Sequence, residues 1–368
     1  MTKMKTSRVT VTEKIHDTLI IGAGFGGLGM AIKLKEAGLS NFVILERANE
    51  VGGTWRDNQY PGAACDIPSN LYSFSFAPNP NWNSSYSGSK EIQSYIKHLV
   101  KEFRLRRHIQ FDQTVCDASL DETQGVWQVE TSHGTVWKAR TVVMASGALS
   151  NAKYPDIRGL DTFKGKKLHS SQWDHRYNLK GKRVGVIGTG ASAIQIIPNI
   201  VDKVDKLKVF QRTPAWVMPR LDFKRPAWAK LLFDKLPVTQ RVTREGLYWA
   251  HEAMALAVIW DSPLRKIAQR LSLQMLKTQV KDRWMRRQLK PDFKIGCKRV
   301  LVSNDYYPAL QKPNAELITW PIASICEQGI KTAEGLVHEC DAIVFATGFD
   351  VPKSGTPYPV RGLNGKLL

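Results

Sequence analysis

Two glycine-rich segments have the residue types and spacing of turns that bind nucleotide phosphates. Gly22, Gly24 and Gly27 form a G-x-G-x-x-G pattern, while Gly188 and Gly190 open the segment GTGASA, in which alanine replaces the third glycine. Glycines there permit a tight turn and a close approach of the backbone to a pyrophosphate, which the N-terminus of the following helix also stabilises. The alternative interpretation of each segment is a glycine-rich turn with a purely structural role.

The residues that follow each turn distinguish the two segments. Glu46 ends the strand after the first turn, where a carboxylate can accept hydrogen bonds from both ribose hydroxyls. After the second turn the matching strand ends in Arg212 and Thr213, which can pair with a ribose 2′-phosphate and hydrogen-bond it. We therefore expect FAD at the first turn and NADPH at the second. A surface cation without a ligand is the alternative for Arg212.

Each turn requires a strand before it and a helix after it, and the flanking sequence predicts both. The expected order of strand, helix and strand is 18–21, 28–37 and 41–45 around the first turn, and 183–187, 192–201 and 207–210 around the second. This repeat predicts an α/β fold with two Rossmann-like dinucleotide-binding domains. Two such domains in one chain are typical of an electron-transfer flavoprotein.

Other segments complete this architecture. Alternating apolar residues in 109–145 predict an antiparallel ribbon followed by a buried strand. The segment 221–291 lacks strand character and predicts inserted helices, with its most apolar part, 246–260, as their core. The apolar run 342–346 predicts the strand that closes the second nucleotide domain.

The charge of the chain is strongly basic and unevenly distributed. Lysine and arginine exceed aspartate and glutamate by 53 to 33, and the stretch from Asp222 to Arg299 holds 18 of these cations against 7 acids. Such a surface attracts polyanions. We favour a solvated basic helical face over nucleic-acid binding, because no DNA- or RNA-binding motif accompanies the charge. Membrane contact is expected to be peripheral at most, since no apolar run is long enough to span a bilayer.

The cysteines and the N-terminus indicate a reducing compartment. The five cysteines are scattered without a C-x-x-C pair, which argues against a disulfide scaffold, a zinc ribbon or a dithiol redox pair. The first residues are polar and lack the apolar core of a signal peptide. We therefore expect a cytoplasmic protein without a bound metal.

Two longer patterns carry a resemblance to a known family. Phe163, Gly165, His169 and Trp173-Asp174 have the spacing F-x-G-x-x-x-H-x-x-x-W-D, and the loop 52–66 reads GGTWRDNQYPGAACD. Both resemble the signatures of type I Baeyer–Villiger monooxygenases, which are flavoprotein monooxygenases. The related N- and S-oxygenating flavin monooxygenases usually carry tyrosine or phenylalanine in place of Trp173.

The resemblance implies an NADPH- and O2-dependent oxidoreductase that converts ketones to esters or lactones through a flavin C4a-peroxide. It implies that Trp55 joins the FAD site and that Ser192 and Lys298 join the NADPH site. The arginine that stabilises the peroxide would be Arg299, with Asp66 paired to it and orienting it. Without the resemblance, Asp66 is read as a helix N-cap or a surface acid.

The same resemblance bears on domains and completeness. It implies a FAD-binding domain at 1–148, with 351–368 as its incomplete C-terminal part, an NADP-binding domain at 149–221 and 294–350, and a helical insertion at 222–293. Family members continue well beyond the ATGFD motif, which lies at 346–350 in this chain. The resemblance therefore implies a C-terminally truncated chain. His169 matches a linker histidine, for which a structural role is favoured over that of a general base.

Two alternatives to ketone oxygenation remain. One is N- or S-oxygenation of soft nucleophiles, and the other is a truncated nucleotide-binding protein without turnover. The sequence does not identify the ketone or the oligomeric state.

Overall fold

A computed structural model describes residues 10–259, 262–351 and 356–368, except for the side chains of 257–259. Its strands in chain order are β1 (Thr10–Ile21), β2 (Phe42–Leu45), β3 (Ile109–Gln110), β4 (Val115–Asp121), β5 (Val126–Thr131), β6 (Thr135–Met144), β7 (Lys166–His169), β8 (Arg183–Ile187), β9 (Lys206–Phe210), β10 (Val217–Met218), β11 (Leu301–Val302), β12 (Ala315–Ile318), β13 (Ile322–Cys326), β14 (Gly329–Thr332), β15 (Val337–Glu339), β16 (Ala342–Phe345) and β17 (Val360–Arg361).

The helices alternate with these strands around each glycine turn. They are α1 (Phe25–Glu36), α2 (Thr54–Asp57), α3 (Ser89–Glu102), α4 (Ala193–Ile200), α5 (Ala227–Lys235), α6 (Pro237–Ile259), α7 (Pro263–Gln279), α8 (Arg283–Leu289) and α9 (Tyr306–Leu310). The predicted α/β class is confirmed, and so is the placement of a helix directly after each turn. Among the described residues, no helix is both long and apolar enough to cross a membrane.

The chain divides into two units. Unit 1 comprises Met1–Asp57, Ile92–Ala152 and Phe349–Leu368, and unit 2 comprises Asn58–Glu91 and Lys153–Gly348. This division differs from the expected domains in the segment 58–91, which was expected in the FAD-binding domain but belongs to unit 2. The division also places 149–152 and 349–350, expected in the NADP-binding domain, in unit 1. It also leaves the expected insertion 222–293 inside unit 2.

Packing explains why 58–91 belongs to unit 2. Tyr60 and Ala63 are buried in the core cluster formed with Ile194 and other residues of α4. The backbone of Ser85 donates to Phe223 O at 3.0 Å, so the segment also pairs with the chain that leads into the helical insertion. These contacts join residues far apart in sequence, which a pattern of apolar residues cannot reveal.

Unit 1 is built on a seven-stranded mixed sheet of order β17-β4-β5-β6-β1-β2-β3. Strand β1 is parallel to β2 and β6, whereas β4, β5 and β6 form the expected antiparallel ribbon. Leu19, Ile21, Val43 and Leu45 are buried together on this sheet. The parallel part of the sheet therefore presents the first glycine turn at the carboxyl end of β1.

One expectation for unit 1 is wrong. The sequence predicts that the ribbon ends before a separate buried strand, but residues 135–144 form the single strand β6. Its first half pairs with β5 and its whole length pairs with β1, so no turn is needed between the two parts. Val142 and Val143 are only half-buried and Met144 is exposed. The described residues therefore do not bury this end of the strand, which was expected to be buried.

Unit 2 is built on a five-stranded parallel sheet of order β12-β9-β8-β16-β7. The strand registers align the last residues of all five strands in one row across the sheet, in the order Ile318, Phe210, Ile187, Phe345 and His169. Because parallel strands end at the same edge, the segments that follow this row converge there. Ligands of open α/β sheets bind at this edge.

Two small sheets and a group of helices complete unit 2. Strands β13, β14 and β15 form an antiparallel sheet, and β10 pairs with β11. The predicted helical insertion is present as α5 to α8. The apolar part 246–260 was expected to form the core of these helices. Where its side chains are described it is largely exposed, since Trp249 and Met254 are 66% and 56% exposed. Residues 260 and 261 lie outside the described part of the chain.

Candidate functional site

The first glycine turn has a backbone that only glycine can adopt. Gly22 has a φ of +107°, and a Cβ there would lie 2.4 Å from Ala145 O. A Cβ on Gly27 would lie 1.9 Å from Gly22 O, whereas one on Gly24 would meet its nearest atom at 3.8 Å. Gly22 and Gly27 thus permit the turn itself, and Gly24 leaves space above the N-terminus of α1. This arrangement fits the pyrophosphate of a dinucleotide.

Glu46 lies at the end of β2 beside this turn, and it is 3% exposed. Its Oε2 accepts a hydrogen bond from Ala23 N at 2.8 Å, and its Oε1 accepts from Ala48 N at 3.0 Å and from Arg56 at 2.7 Å. A carboxylate has about four acceptor positions. The carboxylate is therefore already engaged with the turn, with room for about one further donor such as a ribose hydroxyl.

Arg56 is a residue of this site that the sequence patterns did not predict. Its guanidinium contacts Glu46 and also donates to Asp57 from Nε at 2.8 Å. Burial disfavours the charged form, but the hydrogen bond to Asp57 and the charge of Glu46 outweigh burial and raise the pKa of Arg56. Arg56 follows the expected FAD-site residue Trp55, which is buried in the short helix α2. The only signal in the sequence was the Arg-Asp pair directly after this tryptophan.

The second glycine turn repeats the geometry of the first. Gly188 has a φ of +112°, and a Cβ there would lie 2.5 Å from Ala346 O. A Cβ on Gly190 would meet no atom within 4 Å, so the turn is open above the N-terminus of α4. Ser192 is the N-cap residue of that helix, and its side chain makes no capping hydrogen bond. The open turn, the helix N-terminus and the serine fit a bound phosphate.

A cavity of about 800 Å³ opens at the carboxyl edge of the unit 2 sheet. Its lining includes three cations, Arg212, Lys298 and Lys153, together with Thr213 and Gly188. The Nζ of Lys298 lies 4.6 Å from the centroid of the Phe293 ring. Four residues predicted from the sequence, Gly188, Arg212, Thr213 and Lys298, therefore lie together at one cavity, where the three cations outnumber one acid, Asp156.

Several residues of this cavity were missed, among them one cation and one tryptophan. Lys153 and Trp320 both line it. Trp320 closely follows β12, which pairs in parallel with β9. Since Arg212 follows β9, the position of Trp320 at the same edge could have been found by recognising β12 as the next strand of the sheet. Lys153 had no comparable signal, because it precedes the strands of this unit.

Arg299 and Asp66 form an ion pair in unit 2. The Nε of Arg299 donates to Asp66 Oδ2 at 2.9 Å, and one Nη donates to the same oxygen at 2.5 Å. The arginine side chain is 64% exposed and the aspartate side chain is 20% exposed. The expected pairing is therefore present, with an accessible cation held by a mostly covered acid. Their chemical roles remain a prediction.

The segment from Phe163 to Asp174 forms the edge of the unit 2 sheet. A Cβ on Gly165 would lie 2.4 Å from the Phe163 ring, which explains why a glycine stands two residues after a buried phenylalanine. Trp173 packs against the core of the unit, and Asp174 accepts a hydrogen bond from Lys166 Nζ at 2.7 Å. Most of the pattern is thus explained by packing.

His169 lies in this segment and is 1% exposed. Its Nδ1 accepts a hydrogen bond from Ser171 N at 3.1 Å. Burial lowers the pKa of His169, while hydrogen bonds to the backbone of Gly348 and Lys153 oppose that effect. Lys153 and Gly348 are the first and last residues of the longer segment of unit 2. A buried ring that contacts both ends of this segment suits a structural role better than that of a general base.

The chain is similar to two groups of known proteins. Residues 19–230 match a family model described as pyridine nucleotide-disulphide oxidoreductase. A Baeyer-Villiger monooxygenase of Streptomyces coelicolor is 46% identical over 97% of this chain and 69% of its own length. One of Pseudomonas aeruginosa is 43% identical over 95% of this chain and 66% of its own length. The chain therefore spans about two thirds of the length of these curated relatives.

The solved structures to which the chain is similar include monooxygenases and a complex with FAD and NADP. An oxidized steroid monooxygenase bound to NADP superposes with a TM-score of 0.85 at 32% identity, covering 96% of this chain and 75% of that one. A cyclohexanone monooxygenase in its open form superposes with a TM-score of 0.82 at 31% identity, covering 96% of this chain and 77% of that one. A complex of OTEMO with FAD and NADP has a TM-score of 0.84 at 28% identity, with coverage of 96% and 75%.

Proposed function

The chain belongs to the Baeyer–Villiger monooxygenase family, and from this premise we propose that it oxygenates a ketone with FAD, NADPH and O2. The overall reaction converts a ketone, O2, NADPH and a proton into an ester or lactone, NADP+ and water. The pair of Arg299 and Asp66 carries the proposal, because it holds an accessible guanidinium in the same unit as the second glycine turn.

The residues of unit 1 would hold FAD. Backbone N–H groups at the N-terminus of α1 would bind the pyrophosphate, for which Gly24 leaves space, and Glu46 would accept a hydrogen bond from a ribose hydroxyl. Trp55 would complete the site from α2. Once bound, FAD supplies the hydride acceptor and the activation of O2 that the side chains of this protein cannot provide.

The residues of unit 2 would bind NADPH and stabilise negative charge during the reaction. Arg212 and Thr213 would contact the 2′-phosphate, and Lys298 lines the same cavity. Arg299 would stabilise negative charge that develops on oxygen, because a preorganised cation stabilises a developing oxyanion. Asp66 would orient this guanidinium through the two hydrogen bonds to its Oδ2.

The rival activity is oxygenation of nitrogen or sulfur, which needs an electrophilic rather than a nucleophilic oxygen. A cation beside the reacting oxygen favours its deprotonated, nucleophilic form. Arg299, if placed beside that oxygen as proposed, would favour attack on a carbonyl carbon. Free thiols in all five cysteines also support the proposed cytoplasmic location.

The proposal is tested with purified protein, FAD and NADPH. We expect a flavin spectrum that NADPH bleaches under nitrogen, and NADPH-dependent oxygen uptake that produces ester or lactone when a panel of linear and cyclic ketones is supplied. A thioether is included as the competing substrate. Sulfoxide as the only product would establish the rival activity. A protein that neither binds flavin nor consumes NADPH would instead be a nucleotide-binding protein without turnover.

A further inference from the structure

Gln195 links the loop that carries Asp66 to the helix that begins at the second glycine turn. This glutamine lies on α4. Its Oε1 accepts hydrogen bonds from Tyr60 Oη at 2.9 Å and from Ala64 N at 3.3 Å, and its Nε2 donates to Ala64 O at 3.1 Å. Both backbone groups of Ala64 are thus fixed by one side chain, two positions before Asp66.

Close packing of the backbone against the same helix reinforces this link. Gly62 has a φ of +80°, and a Cβ there would lie 2.1 Å from Asn199 Nδ2 and 2.8 Å from Gln195 O. Ala63 is buried in the core that α4 helps to form. The loop therefore contacts α4 through its side chains and its main chain, so a shift of the helix must also move the loop.

Tyr60 extends the link to the glycine turn itself. Burial raises the pKa of Tyr60, while a hydrogen bond with Ser192 opposes that effect. The phenol is therefore neutral and can donate to Gln195 at physiological pH. Ser192 stands at the start of α4, at the turn where the nucleotide phosphate is proposed to bind. The backbone continues the link, because Gln195 N donates to Ser192 O at 3.2 Å. A continuous path of contacts thus runs from the second glycine turn through Gln195 to Ala64, two positions before Asp66.

We propose that Gln195 is a positioning residue that keeps Asp66, and through it Arg299, in register with the nucleotide bound at the second turn. This inference rests on the proposed function. Gln195 need not touch either cofactor, because it acts through the loop 60–66. Misplacement of a charged group by about 1 Å can reduce a reaction rate about 100-fold. Because Arg299 would also contact NADP+, a misplaced Arg299 should weaken the binding of NADP+ as well.

The test replaces Gln195 with methionine, which keeps the length of the side chain but removes all three hydrogen bonds. Gln311→Met is the matched control, since Gln311 accepts from Lys281 N at 3.0 Å and donates to Gln279 O at 2.7 Å and Tyr307 O at 3.0 Å elsewhere in unit 2. Tyr60→Phe serves as a milder second variant. Dissociation constants for NADP+ are measured by titration calorimetry for each variant, alone and combined with Asp66→Asn.

We expect Gln195→Met to weaken NADP+ binding about tenfold and Tyr60→Phe to weaken it less. Gln311→Met should lower the melting temperature about as much as Gln195→Met does, but it should leave NADP+ binding unchanged. Combined with Asp66→Asn, Gln195→Met should add little further weakening, because both substitutions act on one path. In turnover, Gln195→Met should release hydrogen peroxide in place of ester while NADPH still reduces the flavin.

Other results overturn the inference. Independent effects that multiply in the double variant would show that Gln195 does not act through Asp66, and an equal effect of Gln311→Met would show a general loss of stability. Wild-type protein that does not bind NADP+ would also overturn it. If NADP+ binding shows the expected coupling but no ketone is oxygenated, the positioning role stands and the proposed function fails.

Discussion

Two nitrogen atoms of Arg299 donate to a single oxygen of Asp66, at 2.9 and 2.5 Å, although 233 positions separate the residues in the sequence. The arginine is 64% exposed, so the pair contributes little to the stability of the fold. Its consequence is geometric. Two donors on one acceptor fix the plane of the guanidinium, and the covered acid holds the exposed cation in one direction.

Arg299→Ala should separate the reduction of flavin from the formation of ester. NADPH should still bleach the flavin at a rate close to wild type, because the residues at both glycine turns are unchanged. Ester formation should fall at least about 100-fold, since a preorganised charge on developing oxyanions typically contributes that much. Stopped-flow absorbance and product analysis measure the two steps. An unchanged ester yield would remove the role given to Arg299.

Arg212→Ala should change the preference between NADPH and NADH. Loss of a charge-assisted contact with the 2′-phosphate should raise the KM for NADPH about 10- to 100-fold, with little change for NADH. Lys206→Ala is the matched control, because Lys206 is an exposed cation at the start of the same strand, β9. Equal losses with both coenzymes would contradict the assignment of the 2′-phosphate to Arg212.

The pair of Asp174 and Lys166 predicts a loss of stability in acid. The hydrogen bond from Lys166 lowers the pKa of Asp174 to about 2. Because this is below the unfolded value of about 3.9, the ionised carboxylate stabilises the folded state above about pH 4 and that contribution disappears as the pH falls toward about 2. Urea unfolding should show a smaller loss between about pH 5 and 2 for Asp174→Asn than for wild type. Parallel curves would show that the pair has no effect on stability.

The parts of the fold that follow local rules were predictable. The glycine turns, the strands that end at them and the helices after them were predicted correctly, because short-range backbone requirements fix them. The first strand is longer than expected, since β1 begins at Thr10 rather than at Thr18. The ion pair of Arg299 and Asp66 was anticipated only through the resemblance to a family, since nothing local connects these residues. Arg56 beside Glu46 was missed because its contact depends on how α2 folds back toward the first turn.

The errors have a common physical origin. An apolar run shows that burial is favourable but does not show what covers it, so 142–144 and 246–256 were expected to be more buried than they are. In the same way, the grouping of 58–91 with unit 2 depends on Gly62 fitting against α4, a contact between residues far apart in the sequence. Tertiary contacts of this kind have no periodic signal.

The two glycines of the second turn should respond differently to alanine. At Gly188 a methyl group would lie 2.5 Å from Ala346 O at a φ of +112°, so Gly188→Ala should destabilise the protein by about 1–3 kcal/mol. At Gly190 a methyl group would meet no atom within 4 Å, so Gly190→Ala should leave the melting temperature unchanged. It should nevertheless weaken NADP+ binding, because the methyl group would occupy the space through which a phosphate approaches the backbone.

Thermal unfolding and titration calorimetry with NADP+ measure both effects on the same samples. Gly246→Ala is the control for the substitution itself, since Gly246 lies on α6, where an added methyl group would meet no atom within 4 Å, and it does not line the cavity. Unaltered NADP+ affinity in Gly190→Ala would mean that the phosphate does not approach this turn. The second glycine turn would then be structural, and the cavity at the end of the sheet would need a different ligand.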